Sequence, residues 1–104
     1  VPAAAPGLAL APNPFAPERE RLWLDLRAPG EALELRIFDA AGREVQRLGG
    51  SLSGGLARLV WDGRDAQGGR LADGAYPILA SWRDAAGVGR QAKAVAGLRR
   101  GSTP

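Results

Sequence analysis

The sequence predicts an all-β chain folded as a single two-sheet sandwich of about seven strands. Three observations lead there. Short runs with apolar residues at every second position recur along the chain, as in RLWLDL at residues 21–26 and ELRIF at 34–38. Clusters of Asp and Gly punctuate them at 39–42, 49–50, 54–55, 62–63, 67–69, 73–74 and 84–87, giving the spacing of about 8–12 residues between turns that sandwiches show. At 104 residues the chain has room for one core, burying roughly two-thirds of its unfolded surface.

The elements follow in order. Residues 1–11 (VPAAAPGLALA) form an apolar arm in which Pro2, Pro6 and Pro12 exclude a helix. Leu8 and Leu10 alternate with small residues, as in a half-buried strand. Two uses of this arm stand open: the domain's own first strand, or a strand donated to a neighbouring chain, with the prolines confining pairing mostly to residues 7–11 in either case. Asn13-Pro14-Phe15-Ala16-Pro17 is too rich in proline for a ladder, and Phe15 reads as an anchor that tucks the crossing chain into the core. Leu22, Leu24 and Leu26 share one face, as do Leu33, Leu35 and Ile37, with Glu34 and Arg36 pointing outward.

Residues 31–49 carry a conflict. Leu33, Ile37, Ala41, Val45 and Leu48 also fall at helical spacing among good helix formers. Against a helix stand the loop at 39–42, with Gly42 free for positive φ, and the Gly49-Gly50 stop. Beyond Gly54-Gly55, the residues Ala57, Leu59 and Trp61 share a face. Along 75–83 the row is Tyr76, Ile78, Ala80 and Trp82, while Pro77 cannot donate a ladder bond and predicts an edge strand or a local break. Residues 91–98 complete the set.

Composition narrows the chemistry. Net charge is +3, and acids and bases interleave in Glu18-Arg19-Glu20-Arg21, unlike the cationic stripe of a nucleic-acid binder. Cysteine, histidine and methionine are absent, so disulfides, thiolate metal sites and the commonest general base are excluded. No run approaches the roughly 18 apolar residues of a membrane-spanning helix. A chain beginning Val1-Pro2 rather than Met reads as a processed or excised piece.

Four blocks then stand out together: Asn13-Pro14-Phe15; Leu35-Arg36-Ile37-Phe38-Asp39 with Gly42, Arg43 and Val45; Leu59, Trp61, Asp62, Gly63, Arg64, Asp65 and Gly68; and Gly74-Ala75-Tyr76. They resemble the immunoglobulin-like domain of the flagellar hook-capping protein family, which also occurs at the C-termini of secreted bacterial proteins. The resemblance spans residues 12–98. Pro77 and the Ala-rich last strand depart from the family pattern. It implies an immunoglobulin-like or fibronectin-III-like sandwich and decides 31–49 as a hairpin. The domain boundaries it implies are an arm at 1–11, the sandwich at 12–98 and a tail at 99–104.

What the resemblance implies for function is a non-catalytic structural or assembly module of an extracellular or cell-surface bacterial structure. Its partners would be proteins, copies of itself among them through Val1, Leu8 and Leu10. The alternatives are a C-terminal sorting or anchoring module of a larger secreted protein, and a hook-cap domain proper. No cofactor is implied. The motif residues have structural duties of their own: Phe15, Ile37, Trp61 and Tyr76 as core fillers, Asp39, Asp62 and Asp65 as turn formers, and Gly42, Gly63, Gly68 and Gly74 where a Cβ would be opposed.

Other chemistries fit poorly. Asp62, Asp65 and Asp73 lack the alternating ligands and terminal Glu of a calcium loop. Ser51, Ser53, Ser81 and Ser102 have no histidine to activate them, and Gly68-Gly69 lacks the lysine of a phosphate loop. The resemblance also implies a small sandwich without the cleft that a glycosidase carboxylate pair needs. Carbohydrate on Trp23 or Trp82 is the remaining binding alternative, with Trp23, opposite the Leu22/Leu24/Leu26 face, as the surface aromatic.

Overall fold

Alternation sorts each strand into an apolar face and a wet face, and two such sheets bury their apolar faces against each other. The computed structural model describes residues 7–28, 30–50, 52 and 54–99, and it has this arrangement. Seven strands run β1 (Gly7–Ala11), β2 (Leu22–Arg27), β3 (Glu31–Phe38), β4 (Glu44–Gly50), β5 (Leu56–Trp61), β6 (Gly74–Arg83) and β7 (Gly89–Leu98). One sheet has the order β1-β2-β5 and the other β4-β3-β6-β7, with every pairing antiparallel. The chain is an all-β, immunoglobulin-like sandwich.

The core lies where the inward rows meet. Leu22, Leu24 and Leu26 of β2 are buried against the assembly of Leu35 and Ile37 from β3 and Ile78 and Ala80 from β6. Each large side chain fully buried there contributes about 1.5–3 kcal/mol. No polar or charged side chain is buried among the described residues.

The 31–49 segment is a hairpin. Leu35 pairs with Leu48 and Ile37 with Gln46, and a register shift follows Ile37. Gly49 and Gly50, expected as the stop, are instead the last two paired residues of β4.

The arm is the domain's own first strand. Gly7–Ala11 pairs with β2 from Gly7↔Arg27 to Ala11↔Trp23, and half-buried Leu8 and Leu10 pack on the core. At Pro12 the chain leaves this sheet. It joins the other one at Phe15, whose N–H donates to the Gly97 carbonyl (2.9 Å) and whose carbonyl accepts from the Arg99 N–H (3.0 Å). Residues 7–11 of the segment set apart in the sequence are thus paired within the sandwich, while residues 1–6, Val1 among them, and residues 100–104 lie outside the described part.

Pro77 does not mark an edge. β6 is an inner strand, between β3 and β7. Its pairing with β3 ends at Ile37↔Ile78, one residue short of the proline, so the break falls on that side. Trp82, weighed as a sugar-binding aromatic, is buried in the core, whereas Trp23 is exposed.

Removing residues 1–11 strips two leucines from the core's margin and uncovers one side of β2. The truncated chain is expected to remain monomeric and to lose on the order of 2 kcal/mol of stability, read from urea unfolding and sedimentation. An unchanged urea midpoint would count against β1 as an integral strand.

Candidate functional site: the Trp61 end of the sandwich

Trp61 closes β5 with its indole inside the core, and a buried indole N–H requires an acceptor. The chain supplies one three residues later. The Trp61 Nε1–H donates to the Arg64 carbonyl at 3.0 Å. Two residues turn the backbone into that position. The Asp62 Oδ1 accepts the Arg64 N–H (3.0 Å), and Gly63 adopts φ +79°. A Cβ on Gly63 would stand 2.9 Å from the Pro17 Cβ and within 3.4 Å of Leu98 and Phe15, so this glycine is required twice over.

Phe15 and Tyr76 flank the indole, with ring centroids at 5.6 and 5.8 Å. The Tyr76 hydroxyl donates to the Ala72 carbonyl at 2.6 Å, tying the loop before β6 to the same cluster. The Arg64 carbonyl also accepts the Gln46 Nε2–H (3.3 Å), and the Ala66 N–H donates to the Val45 carbonyl (2.9 Å). The loop after β5 therefore fastens the edge of β4.

Three loops share one construction. In each, an aspartate Oδ1 accepts two backbone N–H groups, two and four residues ahead. Asp39 takes Ala41 and Arg43; Asp65 takes Gln67 and Gly69; Asp84 takes Ala86 and Val88. The aspartate N–H donates to the carbonyl four residues on, and the glycine N–H three residues on returns to the aspartate carbonyl. Gly42, Gly68 and Gly87, the returning glycines, all have positive φ. Arg43 and Arg90 grip the second carboxylate oxygens of Asp39 and Asp84 at 3.1 and 2.9 Å. The backbone N–H of Arg43 and that of Val88, helped by these guanidiniums, hold both carboxyls below the ordinary aspartate range.

Of the sequence-derived residues, Phe15, Trp61, Asp62, Gly63, Asp65, Gly68 and Tyr76 gather at this end, with Gly74 (φ +153°) leading into β6. Asp39 and Gly42 sit in the adjacent loop; Asp39 and Asp65 both line an open concavity of about 450 Å³ beside β4. Ile37 is inside the core, and Leu8 and Leu10 lie at its margin on β1. Two residues of the quoted blocks have roles that the sequence did not reveal. Asn13 accepts the Gly97 N–H at 2.7 Å and donates to the Val95 carbonyl at 3.0 Å, and Arg64 contributes its carbonyl rather than its side chain. A backbone acceptor leaves no trace in residue identity. Among the described residues no group of three or more His, Cys, Asp or Glu could hold a metal.

The sequence profile of the FlgD Ig-like domain matches residues 18–85, well over half of the chain. The chain belongs to this family. This FlgD-type domain is similar in fold to FlgD from P. aeruginosa, at 19% identity and TM-score 0.66 over 86% of this chain and 72% of that one. FlgD from Xanthomonas campestris is 26% identical, with TM-score 0.58 over 90% of this chain and 64% of that one. PorZ from Porphyromonas gingivalis is 22% identical, with TM-score 0.59 over 90% of this chain and only 12% of that one. No curated protein matches the chain.

Trp61→Ala is expected to cost about 3–5 kcal/mol. Gly63→Ala should destabilise far more than Gly42→Ala, because both have positive φ but a Cβ at Gly42 meets nothing within 4 Å; chemical denaturation of the two variants, giving equal losses, would refute the Gly63 packing constraint.

The lowered carboxyls fix the sign of a pH effect. A group whose folded pKa is depressed adds stability above its unfolded pKa and loses it as pH falls through the folded value. Stability is therefore expected to hold from neutral pH to about 5 and to fall below about 4. The double substitution Asp39→Asn and Asp84→Asn keeps the turn acceptors but should flatten part of that fall. Asp25 and Glu44, also lowered by Arg58 and by Arg47 with Arg36, carry the remainder.

Proposed function

We propose that this domain is a non-catalytic structural and assembly module of an extracellular or cell-surface bacterial structure. The observation that carries the reading is how the family's motif residues are used. Their carboxylates accept the chain's own backbone N–H groups, and the Trp61 indole N–H is satisfied by Arg64. The motif shapes loops and leaves outer sheet faces and strand edges to meet partners. Family membership agrees: the X. campestris FlgD is described in terms of the hook capping essential for flagellar assembly, and PorZ as a surface component of the type-IX secretion system.

Protein partners follow from this reading. The arm is an unpromising place for them, since Leu8 and Leu10 are engaged by the chain's own core. A second reading, a sorting or anchoring module within a larger secreted protein, is favoured by one fact: the chain corresponds to only 12% of PorZ.

Antibodies raised against the folded domain should label intact cells of the source bacterium, and external protease should remove that label. Labelling that requires cell lysis would overturn the surface assignment. Under the hook-cap reading the label concentrates at growing flagella, and under the anchoring reading it follows a larger protein on gels.

A further inference from the structure

Gly7 and Arg99 lie at opposite ends of the sandwich. β1 starts at Gly7 opposite Arg27, the last residue of β2, which in turn stands opposite Leu56, the first of β5. β7 finishes at Leu98 beside Phe15, whose ring packs on Trp61 at the far end. β1 and β7 touch across the two sheets, and the residues that continue β1 run parallel to the end of β7. Tension applied between Gly7 and Arg99 therefore draws these two neighbouring segments past each other along their own axes.

Four bonds oppose that sliding. The Phe15 N–H donates to the Gly97 carbonyl, the Arg99 N–H to the Phe15 carbonyl and the Asn13 Nδ2–H to the Val95 carbonyl, while the Asn13 Oδ1 accepts the Gly97 N–H. Pro12 and Pro14, on either side of Asn13, have no N–H to offer, so the side-chain amide stands in for a peptide group. Gly97 is bare where the segment presses on it, since a Cβ there would stand 3.0 Å from the Pro14 Cβ. Phe15 is 1% exposed, so residues 13–15 cannot move along β7 without withdrawing a ring from the core. We infer that residues 13–15 and 95–99 form a shear clamp, which gives this domain a further function as a tension-bearing link between its two ends.

The direction of the pull decides how the clamp responds. Ladder bonds lie across the strands, so a pull along the strands strains them together, whereas a pull across the strands opens them one after another. The rest of the fold passes axial tension to the clamp. β7 is held along its whole length by β6, from Gly74↔Leu98 to Arg83↔Gly89, and does not yield first. β1 is held by five pairs to β2, and once these slip, the clamp is what still joins the two ends. A pull between Ala41 and Arg99 acts differently. Ala41 lies in the turn from β3 to β4, at the same end as Arg99 but on the opposite side of the four-stranded sheet. That tension crosses the strands and peels β7 from its Leu98 end. The domain is thus strong in one direction and weak in the other, a difference that equilibrium stability does not contain, because forced unfolding is governed by the unfolding rate.

The clamp belongs to the fold wherever the domain resides, so its test is independent of cell-surface labelling. The chain has no cysteine of its own, which lets single molecules of the full chain be tethered at chosen positions. Ala9→Cys with Arg99→Cys, both exposed, applies force along the strands; Ala41→Cys with Arg99→Cys, also exposed, applies it across them. At equal force the first pair should survive at least about tenfold longer, since several bonds must yield at once. Asn13→Ala, at an exposed position, removes two of the four bonds. It should shorten the lifetime about tenfold in the first geometry and far less in the second. Equal lifetimes in the two geometries overturn the proposal, and that comparison needs no change within the clamp. An Asn13→Ala effect of the same size in both directions also overturns it, and would make Asn13 an ordinary contributor to stability.

Discussion

The hydrogen bond from the Trp61 indole to the Arg64 carbonyl is where the two sheets, the loop after β5 and the edge of β4 are joined. An indole is the largest apolar group the core can take, but it brings a polar hydrogen that burial would strand. Here the acceptor is built from the residues that immediately follow. Asp62 and Gly63 bend the chain so that one carbonyl faces inward, and Gln46 takes its second lone pair. The core's largest filler and the loop's conformation therefore depend on each other, and neither forms well alone.

Edge closure follows from the same economy of short polar contacts. The N-terminal strand serves one sheet up to Ala11 and the other from Phe15, so that a single segment stitches both. Asn13 uses its side-chain amide as a substitute peptide group, both donating to and accepting from β7. Two prolines, which could not take part in a ladder, occupy the intervening positions where no ladder is wanted.

Much of this was legible beforehand. Inward rows such as Leu22/Leu24/Leu26 and Tyr76/Ile78/Ala80 show in a period of two, and Asp-Gly clusters show the turns. The hairpin at residues 31–49 needed more, because Leu, Ala, Arg and Glu suit a helix and only tertiary pairing commits them to strands. Of the two readings of Pro77 the local break holds and the edge does not, because a proline's effect depends on how far the neighbouring strand extends, and β3 ends its pairing one residue early. The use of the arm could not be decided from alternation alone, since a strand reads the same whichever chain it pairs with. At the Trp61 end the rings and glycines were visible, while the Arg64 carbonyl and the Asn13 clamp depend on geometry that residue type does not encode.

The three aspartate loops have one more property. In each, the aspartate and the glycine do the bonding, and the two residues between them (Ala40-Ala41, Ala66-Gln67, Ala85-Ala86) lend only their backbones and point their side chains at water. Those six positions are blank lettering on a fixed frame. A lineage could rewrite them to suit one surface after another, or a designer could graft onto them, without disturbing the instructions by which the domain folds. Two of the blanks sit at one tip beside two more, and the last pair decorates the opposite tip, so a rod of such domains would carry variable labels at both ends and constant walls between.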